Sequence, residues 1–312
     1  MVAGRDASCP VRLDLHLHFS PPDYHERLRR YPVGAAVPSW SFDAMEAAMA
    51  KYRVDKAIIS AASGVFFGDQ AEANELARMV NEAAAAIVRD DPGRFGALAT
   101  LPLPDPDAAI AELDYAFDTL GLDGVILLSS SNGAYLGNEA FRPLFDELER
   151  RRAYVFVHPA VPPWLPAYGH PLWVLELPFE STRAALDLVF SGTLDRCPNV
   201  KFQLSHLGGA VPFLAHRMAS MVGRDPALAA RLEAEPLAYF SRFFYDTALA
   251  LNPPAFAGTL ALIPPEQIVF GTDWPYLPED ELEFDPDALH LSGDTIAAIE
   301  SRNAAVLVPR LT

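Results

Sequence analysis

Lysine is nearly absent from this 312-residue chain: only Lys51, Lys56 and Lys201 occur, and no Gly-Lys pair exists, which excludes a phosphate-binding loop of the GxxxxGK type. Neither GxGxxG nor GxSxG is present, so the dinucleotide fingerprint and the nucleophile elbow are excluded too. The two cysteines, Cys9 and Cys197, form no CxxC and no paired framework, as expected in a reducing compartment. The opening MVAGRDASC lacks the apolar core of a signal peptide, and no stretch approaches the roughly 18 apolar residues of a membrane span. A soluble cytoplasmic protein without membrane contact is expected. Positive charge is also scarce. With 24 Lys and Arg against 41 Asp and Glu, the net charge is -17 and the basic residues are scattered, which argues against a nucleic-acid partner. An anionic small molecule stays open, because surface charge is screened over about 8 Å at physiological salt and a pocket sets its own field.

Short apolar runs, by contrast, are plentiful, and hydrophobic residues make up 51% of the chain, enough for one large core. Eight runs read as strands: VRLDLHLHF (11–19), DKAIIS (55–60), FGALAT (95–100), GVILLS (124–129), YVFVHP (154–159), VKFQLSH (200–206), FFYDTA (243–248) and QIVFGTD (267–273). Helical patterns lie between most of them. DAAIAELDYAFDTLG carries Ile110, Leu113, Phe117 and Leu120 at helical spacing, with Asp107 as the expected cap and Gly121 as the stop. NEAFRPLFDELERRR has Asn138 at the cap and arginines in its last turn. This alternation predicts an α/β fold, a single (β/α)8 barrel domain over 1–312, with a doubly wound sheet as the alternative. The segments after strands 1, 5, 6 and 8 are long, rich in Pro and aromatics, and hold Trp40, Trp164, Trp173 and Trp274. In a barrel such segments share the C-terminal face, where active sites are built.

In the first run, period-two alternation puts Val11, Leu13, Leu15 and Leu17 on one face and Arg12, Asp14, His16 and His18 on the other. His16 and His18 close strand 1, His158 strand 5, His206 strand 6 and Asp273 strand 8, so a closed barrel brings all five to one mouth. Imidazole nitrogen and carboxylate oxygen bind a divalent metal at about 2.0–2.2 Å, and an H-x-H pair offers two ligands from one strand face. The pair therefore reads as a metal chelate. No lysine ends a strand, so a bridging carbamylated lysine has no candidate and one metal ion is expected. His25, His170, His216 and His290 fall in loops or helices and suit surface or packing roles; Asp14, deeper on the inward face, suits a structural bond, and Asp246 in YDTA fits either role.

HLH at strand 1, FVHP at strand 5, SHLGG at strand 6, GTDWP at strand 8 and the terminal RNAAVL, with PGRFGALATLPLPD and PFLAHR, together resemble the amidohydrolase-related decarboxylases, whose best-known member is aminocarboxymuconate-semialdehyde decarboxylase. The resemblance runs essentially end to end. It implies that His16, His18, His158 and Asp273 hold one zinc, or manganese, and that His206, with Asp273, performs acid/base catalysis. It also implies that Trp173 and Trp274 contact the substrate and that Arg217 reaches a substrate carboxylate in the neighbouring subunit of a homodimer. The namesake enzyme has a substrate-binding arginine shortly before the tryptophan equivalent to Trp40, where this chain reads PVGAAVPS (32–39). The implied activity is thus non-oxidative decarboxylation of a small aromatic or dienoic acid, with a simple hydroxybenzoate or methylsalicylate preferred. The alternatives are a metal-dependent hydrolase or hydratase acting on a lactone, amide or double bond, and a non-catalytic metal- or ligand-binding barrel.

Overall fold

Strands form where the eight apolar runs predict them. The computed structural model describes residues 11–30, 37–161, 171–277 and 289–312, so Cys9, Trp164, His170 and most of PVGAAVPS lie outside the described residues. The strands are β1 (Leu13–His18), β2 (Lys56–Ser60), β3 (Phe95–Thr100), β4 (Gly124–Leu128), β5 (Tyr154–His158), β6 (Lys201–Leu204), β7 (Phe244–Asp246) and β8 (Ile268–Val269). They pair in parallel, each with its successor in sequence. Backbone bonds from Leu15 N to Phe270 O (2.9 Å), Asp273 N to His16 O (2.7 Å) and His18 N to Trp274 O (2.8 Å) join the last strand region to the first. The barrel predicted from the alternation is therefore the fold, and the doubly wound sheet is not.

Two apolar layers follow from the period-two pattern. Ala57 and Ile59, Val125 and Leu127, and Val155 and Val157 face outward into the shell shared with the helices. Ile58, Leu98, Ile126, Tyr154, Phe156, Phe244 and Val269 fill the interior, where Ala304, Leu307, Val308 and Leu311 from the C-terminal tail join them.

The first strand departs from strict alternation. Asp14 pairs with Ala57 but Leu17 with Ile59, so β1 carries one extra residue against β2, a β-bulge. Leu13 and Leu15 consequently belong to the interior cluster while Leu17 belongs to the outer shell, although alternation placed all three together. The bulge turns His16 inward directly after Leu15. The His16 N–H, freed from the ladder, donates to Asp14 Oδ1 (2.9 Å), which is the structural bond that Asp14 was expected to make.

A second correction concerns helix Pro106–Asp114: its cap is Asp105, not Asp107, because Asp105 accepts from Asp107 N (3.0 Å) and Ala108 N (3.1 Å) and leaves Asp107 inside the first turn. Gly121 does end the helical run, at φ 70°, after a π-helical stretch over Tyr115–Leu120. Asn138 caps the 3-10 turn Glu139–Phe141 that leads into helix Arg142–Arg151. A short hairpin, Ser130–Ser131 with Ala134–Tyr135, follows β4 and was not anticipated. Its signal is the Asn132-Gly133 pair, both at positive φ, which is the usual two-residue hairpin turn.

Candidate active site

The expected residues converge at the C-terminal mouth. One ligand atom from each of His16, His18, His158 and Asp273 lies within 4.8 Å of the others, and all four side chains are buried. His16 Nε2 is 2.9 Å from His18 Nε2, and Asp273 Oδ1 lies 3.3 Å from the first and 3.1 Å from the second. His206 Nε2 stands 3.2 Å from the other carboxylate oxygen, Asp273 Oδ2.

The proton positions follow from the partners. His16 Nδ1 faces the Asp246 carboxylate at 3.0 Å, and His18 Nδ1 faces Ser60 O at 3.2 Å. Both are acceptors, so each ring carries its proton on Nδ1 and turns a bare Nε2 lone pair toward Asp273 Oδ1. Three lone pairs cannot face one another at about 3 Å without a cation between them. His158 Nδ1 is buried there as well, with no hydrogen-bond partner. A divalent metal fits this donor set of three imidazoles and one carboxylate.

In the metal-free protein a proton takes that place. Burial disfavours charge on His16, but the carboxylates of Asp246 and Asp273 outweigh it and push its pKa up to about 10. Burial lowers His18, and it lowers His158 well below the usual imidazole value, so both stay neutral ligands. Asp273 is driven well below the carboxylate range, since the surrounding histidines overcome the cost of its burial.

Asp246, ambiguous in sequence, is a supporting residue. It accepts from His16, from the His206 main-chain N–H (2.9 Å) and from Gln203 Nε2 (2.8 Å), so one carboxylate holds both a member of the donor set and the residue beside it, His206. Asp14 does similar work between β1 and the β8 segment, taking Thr272 Oγ1 (2.6 Å) besides the His16 N–H. The sequence SHLGG has a backbone reason. His206, Leu207, Gly208 and Gly209 all have positive φ, and a Cβ on Gly209 would sit 1.9 Å from Pro178 O. His206 and Asp273 (φ 65°) are strained non-glycine positions, of the kind found where geometry serves function.

Above the cluster opens a cavity of about 1440 Å³ whose described lining is mainly apolar, including Phe66, Leu103, Leu128, Trp173 and Phe213, with His158, His206, Asp273 and Tyr276 on its walls. No Arg or Lys lines it among the described residues. Trp173 is at the mouth, 62% exposed. Trp274 packs instead against the hydrophobic core, and Arg217 is exposed on helix Val211–Val222; neither is among the lining residues. His25, His216 and His290 stay outside the cluster.

Residues 13–310 match the Amidohydrolase family Amidohydro_2. The chain belongs to this amidohydrolase family. It is 36% identical over 320 residues to 6-methylsalicylic acid decarboxylase of Penicillium expansum, covering 96% of this chain and 97% of that protein. Among solved structures it is similar to 2,6-dihydroxybenzoate decarboxylase from Rhizobium, with a TM-score of 0.83 and 25% identity over 96% of this chain and 98% of that one. It also shares the fold of a dihydroxybenzoic acid decarboxylase from Polaromonas sp. JS666 with bound manganese, at a TM-score of 0.83 and 22% identity, over 96% of this chain and 97% of that one. The resemblance read from HLH, FVHP, SHLGG and GTDWP is thus the family of the whole chain, and these amidohydrolase relatives are decarboxylases of aromatic acids.

Proposed function

We propose that this amidohydrolase is a metal-dependent non-oxidative decarboxylase, a carboxy-lyase, acting on a small aromatic carboxylic acid such as a hydroxybenzoate or 6-methylsalicylate. The observation that carries the reading is Asp273. One of its oxygens closes the lone-pair cluster and the other meets His206 at 3.2 Å, so ligand set and acid/base share one carboxylate at the base of an apolar cavity. His16, His18, His158 and Asp273 would hold one divalent ion; three imidazoles favour zinc, with manganese as the alternative. Bound there, the ion supplies the positive charge that holds and polarises the substrate carboxylate and an adjacent oxygen.

The reaction exchanges a carboxylate for a proton, and a free aryl carbanion must be avoided. The His206–Asp273 pair delivers its shared proton to the ring carbon that bears the carboxylate, which becomes tetrahedral. The carbon–carbon bond then breaks, its electrons return to the ring and carbon dioxide leaves. The pair is reprotonated from solvent. Apolar walls keep water from competing for the carboxylate.

A homodimer completes the proposal. Phe213 is 88% exposed and Met221 39% exposed on helix Val211–Val222, and Arg217 lies midway, so the three share one helix face that a second copy would cover. An arginine crossing from that face would give the substrate carboxylate a bidentate partner that the described cavity lacks. The buried free thiol of Cys197 suits a cytoplasmic setting.

The test is carbon dioxide release by the zinc- or manganese-loaded protein from a panel of hydroxybenzoates and 6-methylsalicylate. Release that is lost on chelation and in Asp273→Ala is the expected result. Turnover of lactones or amides, with no carbon dioxide from any aryl acid, would make it a hydrolase. For the dimer, Arg217→Ala and His16→Ala chains are each inactive alone and regain part of the activity when mixed, because one hybrid site then has every group. Full activity as a monomer would refute the crossing arginine.

A further inference from the structure

The imidazoles of the cluster are not held alike. His16 and His18 each face a fixed acceptor through Nδ1, whereas the His158 ring, whose partnerless Nδ1 is counted in the donor set, meets no orienting acceptor among the described residues. His158 is held through its main chain. Ser129, just past β4, donates its N–H to His158 O (2.7 Å), and its Oγ accepts the N–H of Ala160 (2.9 Å), so one serine brackets the ligand from both sides.

The hydroxyl proton of Ser129 goes to Glu180 Oε2 (3.1 Å). Glu180 belongs to helix Glu176–Phe190, outside the barrel wall, and is 0% exposed. Its other oxygen accepts from the Tyr135 hydroxyl (2.8 Å) and from Arg183 Nη1 (2.8 Å). Tyr135 lies on the second strand of the hairpin whose Ser130, Ser131, Asn132 and Gly133 line the cavity. Burying a carboxylate is costly unless both oxygens find donors, and this one is met by two hydroxyls and a guanidinium.

The charge also sets a direction. A hydroxyl that accepts from Ala160 N must donate its one proton elsewhere, and an acceptor-only carboxylate fixes that choice. A glutamine would keep its oxygen on the two donors Tyr135 and Arg183 and turn its NH2 to the single donor Ser129, breaking the arm that leads to His158.

We propose that Glu180 is a positioning residue that acts in two directions: through Ser129 it orients the ligand His158, and through Tyr135 it fixes the hairpin wall of the substrate cavity. The proposal rests on the reading of His16, His18, His158 and Asp273 as a metal site. It would couple metal affinity and substrate fit to a side chain that touches neither metal nor substrate.

The experiment measures zinc affinity by competition with a chromophoric chelator, without substrate, for the parent, Ser129→Ala, Glu180→Gln and Tyr135→Phe. Steady-state kinetics on the loaded proteins and melting temperatures accompany it. Thr193→Val, which removes a buried hydroxyl remote from the cluster, is the control for lost stability. Ser129→Ala and Glu180→Gln should bind zinc about 10–100-fold more weakly than the parent, as expected when support of a metal ligand is lost. Tyr135→Phe should keep the parent's zinc affinity and raise KM more than it lowers kcat. Parent-like zinc affinity in both Ser129→Ala and Glu180→Gln, or a loss of melting temperature like that of Thr193→Val with no change in affinity, overturns the proposal. So does loss of zinc by Tyr135→Phe in step with the other two. If Ser129→Ala does not fold, the isosteric Glu180→Gln decides alone. A parent that binds no zinc or manganese at all refutes the metal reading itself, and this proposal with it.

Discussion

Asp246→Asn is the substitution that most directly probes the lone-pair cluster. Asp246 is fully buried and meets four donors: His16 Nδ1 (3.0 Å) and Gln203 Nε2 (2.8 Å) on Oδ2, and the main-chain N–H groups of His206 (2.9 Å) and Ala248 (3.2 Å) on Oδ1. Asparagine keeps the shape but turns one oxygen into NH2, which must then oppose two donors whichever way the amide points. Both orientations also remove the negative charge behind His16 that fixes its tautomer and strengthens its Nε2 as a ligand. A hydrogen bond to a charged group is worth about 1.5–3 kcal/mol. At 1.4 kcal/mol per tenfold, the metal should bind roughly 10–100-fold more weakly. Chelator competition at neutral pH reads this change, and circular dichroism confirms that the variant is folded. A folded Asp246→Asn whose metal affinity stays within about twofold of the parent would refute the assignment of the Nδ1 protons and the cation site built on it.

His206→Ala should keep its metal while kcat falls by about 10²–10⁴-fold, the usual contribution of a positioned acid/base; metal content falling in proportion to rate would make His206 a ligand. Zinc uptake should release close to one proton at neutral pH. The Asp246 and Asp273 carboxylates, against burial, raise His16 to about 10, so below that pH the ring must shed its proton before it can bind, and apparent affinity drops as pH falls. Calorimetry in buffers of different ionisation enthalpy measures the release, and uptake with no proton released would contradict it. Burial pushes the Cys197 thiol up to about 11, and its Sγ contacts Phe145 O at 3.6 Å. In a Cys9→Ser chain, a thiol reagent at mildly alkaline pH should therefore react only after denaturation; rapid labelling of the native protein would show that the thiol is accessible.

Local sequence determined a good deal of this protein. Strand and helix periodicities are properties of neighbouring residues, so all eight strands and their order were legible, and each polar strand end stood out against the apolar run it closes. Given parallel strands in sequence order, geometry alone carries His16, His18, His158, His206 and Asp273 to one mouth. The Asn132-Gly133 hairpin was equally local. Tertiary structure decided what depends on partners distant in sequence. The bulge in β1 arises from its register against β2 and from Asp14 capturing the His16 N–H, so period-two alternation misplaced Leu17 relative to Leu13 and Leu15. Asp246 acquires its role only because β7 ends where its carboxylate reaches both His16, 230 residues away, and the main chain of His206. Glu180 looks like an ordinary helical glutamate in sequence; its burial, and its reach to Ser129 51 residues away, exist only once the helix has packed against the barrel wall. A buried carboxylate must gather donors from whichever elements surround it, and no local pattern records which elements those are.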